Sequence, residues 1–129
     1  KAIEREPGKG ISMSDWIEEY FADVDAMRLD EFVARHTDDA VVIVNNNPPA
    51  EGKDQIRESI GGFWSMIDGM RHDVQDRYDV DDTVILVSDV YYTRKDGQVV
   101  PIRTTSILHR DGDLVDRLAF YNDPTPIFA

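Results

Sequence analysis

The sequence predicts an α+β fold in which helices come first and a curled antiparallel sheet follows. Apolar residues recur at helical spacing three times before Gly69: from Trp16 to Met27, around Phe32 and Val33, and from Ile56 to Ile67. Four strand-like segments follow, joined by short polar turns that include Asp96-Gly97 and Asp111-Gly112. Helices grouped before strands, not alternating with them, indicate three N-terminal helices packed on one face of the sheet.

Taken in order, the first helix starts at Ser14 or Asp15, either of which can cap free amides, and buries Trp16, Ile17, Tyr20, Phe21, Val24 and Met27. After a break at 28–30, a short second helix carries Phe32 and Val33 inward and ends near Thr37. The β-branched run Ala40 to Val44 reads as a strand. Asn45 to Pro49 make a loop, because asparagine and proline suit turns and interrupt a ladder. The third helix starts near Asp54 and stops before Gly69. The meander is Met70–Val80, Thr83–Arg94, Gln98–His109 and Leu114–Tyr121. Residues 1–13 are charged and glycine-containing, and are expected to be a loose arm or expression remnant, with 14–129 forming one domain.

A chain of 129 residues has room for one core. Its 26 acidic and 14 basic side chains give a net charge of −12, which opposes binding to nucleic-acid phosphates and anionic membrane surfaces. There is no cysteine for a thiolate nucleophile, a disulfide or a thiolate metal site. No apolar run reaches the roughly 20 residues of a membrane span, so a cytoplasmic location is the simplest expectation. His36, His72 and His109 lack paired ligand spacing, and Asp111-Gly112-Asp113 lacks the other ligands of a calcium loop, so no metal site is expected. Without a glycine-rich phosphate loop or a nucleophile elbow, no cofactor is expected either.

The most informative segment is Met70 to Val80, whose even positions are Met70, His72, Val74, Asp76, Tyr78 and Val80. A strand of period two therefore places a histidine and an aspartate on an otherwise apolar face, where ionisable groups need partners. With two residues at each turn tip, one face reads His72, Tyr91, Ile102, Tyr121 across the strands, then Val74, Asp89, Thr104, Ala119, then Asp76, Val87, Ser106, Arg117. His72 and Asp89 are then diagonal neighbours roughly 7 Å apart, with Tyr91, Thr104 and Tyr121 around them. The other face would hold Val84, Leu86, Val90, Tyr92, Val99, Ile107, Leu118 and Phe120, enough apolar surface to need a homodimer partner.

Three stretches resemble the nuclear-transport-factor-2-like superfamily, which includes ketosteroid isomerases, limonene epoxide hydrolases and SnoaL-like polyketide cyclases. "EYFADVDAMRLDEFVARHTDDA" is similar to the isomerase helix pair, "PPAEGKDQIRESIGGFWSMI" to the epoxide hydrolase, and "YNDPTPIF" to the SnoaL-like ending. The resemblance implies a cone-shaped sheet with the helices on its concave face, and a small apolar molecule inside the cone. It also implies cofactor-independent isomerisation, cyclisation, dehydration or hydrolysis. It puts Tyr20 at the isomerase oxyanion tyrosine, but Val44 and Thr104 at that family's two acids, so the isomerase mechanism does not carry over. The hydrolase tyrosine and asparagine fall on Val42 and Val44, and only its last-strand aspartate has a counterpart, Asp123.

Together these readings give His72, polarised by Asp89, as general acid or base and Tyr20 as oxyanion donor. Trp16, Trp64, Tyr91, Thr104, Tyr121 and Asp123 are the candidate ligand contacts. Each has a bland counterpart. Histidine and aspartate can satisfy each other inside a core, tryptophans on helix stripes are usually packing, Asp76 is readily satisfied by a nearby arginine, and Asp123 can cap the turn at Pro124. A carrier or sensor without chemistry, or a dimerisation module with a filled cone, would use the same residues.

Overall fold

The computed structural model describes residues 15–129; Ser14 and the expected arm at 1–13 lie outside the described residues. Helix α1 (Trp16–Asp25) is capped by Asp15, whose carboxylate accepts the Ile17 N–H at 3.0 Å. Helix α2 (Leu29–Ala34) leads straight into strand β1 (His36–Val44), so His36 belongs to a strand and not to a helix end. A two-residue strand β2 (Ala50–Glu51) follows the expected loop directly, and α3 (Gly52–Trp64) ends before Ile67, which opens strand β3 (Ile67–Val80). Then come β4 (Thr83–Arg94), β5 (Val99–Asp111), β6 (Leu114–Tyr121) and a last turn of helix, α4 (Thr125–Phe128).

The strands form one six-stranded sheet in the order β2-β1-β6-β5-β4-β3. The β3–β6 meander is antiparallel as expected, but β1 joins β6 in parallel, so the sheet is mixed. The sheet is curled and unclosed, with the helices against its concave face. Ile17, Tyr20 and Phe32 from the helices meet Val42, Leu86, Val90 and Leu108 from the sheet in one buried core.

The register corrects two strands. The β4–β5 turn uses three residues, Lys95, Asp96 and Gly97, with Gly97 at φ +86° and the Arg94 N–H bonded to Gln98 O at 2.8 Å. One residue more than a two-residue turn reverses every side chain of β4 relative to β5. Val84, Leu86, Ser88, Val90 and Tyr92 therefore face inward, while Val87, Asp89 and Tyr91 face out. The β5–β6 turn is centred on Gly112 and Asp113, with a bulge between His109 and Arg110. This pairs Thr105 with Tyr121 and Ser106 with Phe120, turning Leu118 and Phe120 inward and Ala119 and Tyr121 outward. Most of the apolar residues assigned to an outer dimer surface are thus core; of that set, Val99 and Ile107 stay outside.

A bulge at Gln75 makes the third correction. Past it Arg77, not Asp76, lies on the concave face opposite Leu86. Arg77 is buried and its guanidinium binds Asp15 at 2.6 Å and Asp79 at 2.9 Å, tying the cap of α1 to β3. Arg77→Met keeps the aliphatic packing and removes the charge-assisted bonds. Because both carboxylates remain accessible to water, the expected loss is limited to about 2 kcal/mol in urea unfolding. A variant as stable as the parent would show that this ion pair contributes nothing.

Candidate functional site

The site is built where the last turn of α1 meets β3. Asp25 follows Phe21 by one helical turn, so both reach the same neighbour. That neighbour is His72: Asp25 accepts the His72 backbone N–H at 3.0 Å on one oxygen and the ring Nδ1–H at 2.7 Å on the other. The Phe21 ring lies 4.7 Å from the imidazole, tilted by 52°. A carboxylate at a helix C-terminus meets the negative end of the helix dipole, an unfavourable placement worth roughly 0.3–1 kcal/mol, which the two donors of His72 offset.

The double contact fixes the imidazole. With Nδ1–H donated to Asp25, the neutral form of the ring has its lone pair on Nε2, which has no hydrogen-bond partner among the described residues. His72 lines a cavity walled by Phe21, Phe63, Trp64 and Phe120, whose hydroxyl- and imidazole-bearing residues are Tyr20, His72, Tyr92, Thr104 and Ser106. Its free volume is about 40 Å³, room for a few water molecules at most. Tyr92 pairs with Met70 beside the His72–Val90 pair, so it is a diagonal neighbour of His72 on the concave face. Burial, reinforced by the charge of Asp25, pushes the Tyr92 hydroxyl up to about 12, so it remains a proton donor.

The other candidate residues go elsewhere. Asp89 is on the convex face, opposite Asp73 and 3.6 Å from Arg103, and does not meet His72. Tyr91 is also outside, under the Arg71 guanidinium at 4.5 Å, and Tyr121 is exposed on that face. Tyr20 is buried and hydrogen-bonds His36 Nε2 at 2.9 Å, while His36 Nδ1–H donates to Phe32 O at 2.7 Å. That donor is spent on His36 and is not free for an oxyanion, although the ring borders the cavity. Trp64 forms cavity wall and packs on Phe32 at 5.2 Å, whereas Trp16 lies beneath Arg110 at 4.3 Å, outside the cavity wall. Thr104 is a wall residue that donates to Ile102 O and accepts from Asn122. Asp123 accepts the N–H and hydroxyl of Thr125 and caps the turn at Pro124, which is its bland reading.

The residues missed were Asp25 and Tyr92. Asp25 had a legible signal, an aspartate one turn after Phe21 on an apolar helical stripe. Tyr92 was hidden by the reversed register. Among the described residues no group of three potential ligands is placed to hold a metal ion, and no helix is long and apolar enough to cross a membrane.

A curled, unclosed sheet packed on three N-terminal helices, with His72 in the wall of the small cavity between them, defines a cone-type α+β fold. Residues 17–118 match the SnoaL-like domain model, and the chain belongs to that family. Three solved structures illustrate the likeness. An NTF2-like protein of unknown function from Burkholderia pseudomallei is 12% identical, with 88% of this chain and 95% of that one covered at a TM-score of 0.77. TerC, co-crystallised with polyporic acid, is 13% identical over 86% and 91% at 0.74. A protein from Shewanella putrefaciens, described as a SnoaL-like polyketide cyclase, is 12% identical over 85% and 88% at 0.73. At these identities the likeness is one of fold. A comparison with curated proteins gives no match.

Proposed function

We propose that the protein binds a small, ring-bearing apolar molecule in the cone and moves a proton on it, with His72 as general base and Tyr92 as donor to the oxygen that gains charge. The observation that carries this reading is the Asp25–His72 pair, which leaves a basic nitrogen at a cavity wall otherwise almost wholly apolar. Nε2 would take a proton from an acidic C–H or O–H, and the Tyr92 hydroxyl would stabilise the resulting enolate or phenolate. The reaction class is cofactor-independent isomerisation, cyclisation, dehydration or hydrolysis. TerC's polyporic acid complex supports a hydroxylated ring compound as the class to try first.

The small cavity favours a second reading, a filled cone that serves only structure. A thermal-shift screen with phenols, enones, epoxides and polyketide-like aromatics separates the two. A compound held at a hundred times its dissociation constant adds about 2.7 kcal/mol of stability. A hit whose shift falls in His72→Ala supports the cone site; silence across the whole panel overturns it in favour of the filled cone.

The same reading assigns a homodimer to the convex face, where Ile85, Val87, Ile107 and Tyr121 lie among polar neighbours. Sedimentation of Val87→Arg is expected to give a monomer where the parent gives a dimer. A monomeric parent would remove this assignment and leave the cone site untouched.

A further inference from the structure

Beside the cavity at His72 lies a second space of about 120 Å³ at the mouth of the cone, and both are bordered by Ile60, Phe63 and Phe120. We propose that they are two subsites of one binding site for an elongated neutral molecule, a ring held against His72 and a carbonyl or hydroxyl end held at Asn45 and Asn122. Phe63, in the last turn of α3, swings aside to join them. This rests on the reading of the cone as a ligand site, and adds the shape of the ligand and its entrance.

Space makes the first argument. Ligand pockets commonly measure roughly 300–1,000 Å³, and neither compartment approaches that alone. A ring reaches His72 only if an aromatic side chain yields. Phe63 and Phe120 both border the two spaces, but Phe120 is fixed within strand β6 whereas Phe63 sits near a helix end, its ring edge-on to Tyr92 at 5.7 Å on the inner side and bordering the mouth on the other. Phe63 is half-buried, and next to last in its helix.

The chain around Phe63 makes the second argument. Gly61 and Gly62 precede it, and glycine weakens a helix interior relative to alanine. Packing explains Gly61, where a Cβ would lie 2.9 Å from Leu29 Cδ2. Gly62 has nothing within 4 Å of a modest Cβ and no left-handed φ, so neither contact nor backbone conformation requires glycine there. Its consequence is a loosened turn under Phe63.

Chemistry at the mouth makes the third argument. Asn45, held at φ +50°, donates Nδ2–H to Asn122 Oδ1 at 2.9 Å and accepts the Asn122 backbone N–H at 2.7 Å. Asn122 Nδ2 donates to Thr104 Oγ1 at 3.3 Å. Each amide thus keeps one N–H uncommitted among the described residues, a pair of donors suited to a neutral oxygen. No lysine or arginine lines this space, which disfavours a carboxylate.

The test compares 2-naphthol with 6-acetyl-2-naphthol, the same ring with a carbonyl at its far end, by stopped-flow fluorescence and equilibrium titration on the full chain. For the parent, the acetyl compound is expected to bind about tenfold more tightly, an advantage lost in Asn122→Leu. Phe63→Ala should raise the association rate constant of both compounds about tenfold, and Gly62→Ala, which stiffens the turn without a clash, should lower it several-fold. Equal association rates in parent, Phe63→Ala and Gly62→Ala, or an acetyl advantage that survives Asn122→Leu, would overturn the proposal. So would failure of every variant to bind either naphthol, whereas the cone reading itself would then still be judged by the wider screen.

Discussion

Replacing His72 with alanine is expected to remove a factor of about 10²–10⁴ from turnover, the usual contribution of one positioned proton transfer. Asp25→Asn is expected to lose nearly as much without deleting the base. In the parent, one Asp25 oxygen must accept the His72 backbone N–H and the other the Nδ1–H. An asparagine keeps only one oxygen. Backbone amides are obligatory donors, so that oxygen stays on the His72 N–H, and the new NH₂ faces Nδ1. Nδ1 must then accept, the proton moves to Nε2, and the nitrogen at the cavity becomes a donor. This prediction has a readout that needs no substrate: nitrogen-15 correlation spectra should show the protonated ring nitrogen switching from Nδ1 to Nε2 in Asp25→Asn. On any turned-over compound, kcat should fall while KM changes little, since the ring still packs on the same walls. Parent-like turnover in both variants would remove His72 from the chemistry.

Order and type of the elements were legible because they are written locally. The helical stripe from Trp16 to Val24 and the strand alternation from Thr83 to Arg94 each need only the identity of neighbours. The faces were not, because β4 is apolar on both sides: Val84, Leu86 and Val90 on one, Ile85, Val87 and Tyr91 on the other. Composition therefore could not vote against a one-residue slip, and turn length decided the matter. His72 was found on the concave face because β3 and β5 kept their predicted sides near it, while β4 and β6 reversed and removed Asp89, Tyr91 and Tyr121. Its true partner, Asp25, lies 47 residues away on α1, and such a pairing exists only once the helix has docked.

The other large effect concerns His36, buried in the core and unpromising as a surface or site residue from sequence alone. Burial lowers its pKa from 6.5 to about 4, and it sits neutral between the Tyr20 hydroxyl and the Phe32 carbonyl. Because the unfolded chain binds this proton more readily than the folded one, stability rises with pH between those values and is lost on acidification. From pH 7 to 4.5 the expected loss is about 2 kcal/mol, approaching about 3 kcal/mol below pH 4, from 1.36 kcal/mol per pKa unit. Other groups with resolved shifts act elsewhere or oppositely. Despite burial, Arg77 and the Arg35–Arg28 pair hold Asp15 and Asp23 below the ordinary carboxylate range, so their stabilisation is present above about pH 4 and lost only below it. His109 is raised by its hydrogen bond to Asp116, so its stabilisation is complete below about pH 6.5 and lost as pH rises through its folded pKa. Urea unfolding at half-unit steps from pH 7 to 4.5 should therefore show the fall in the parent and a nearly flat line in His36→Gln, whose amide still offers Tyr20 an acceptor. Equal slopes in the two proteins would place the acid sensitivity outside the Tyr20–His36–Phe32 chain and leave that chain a packing feature only.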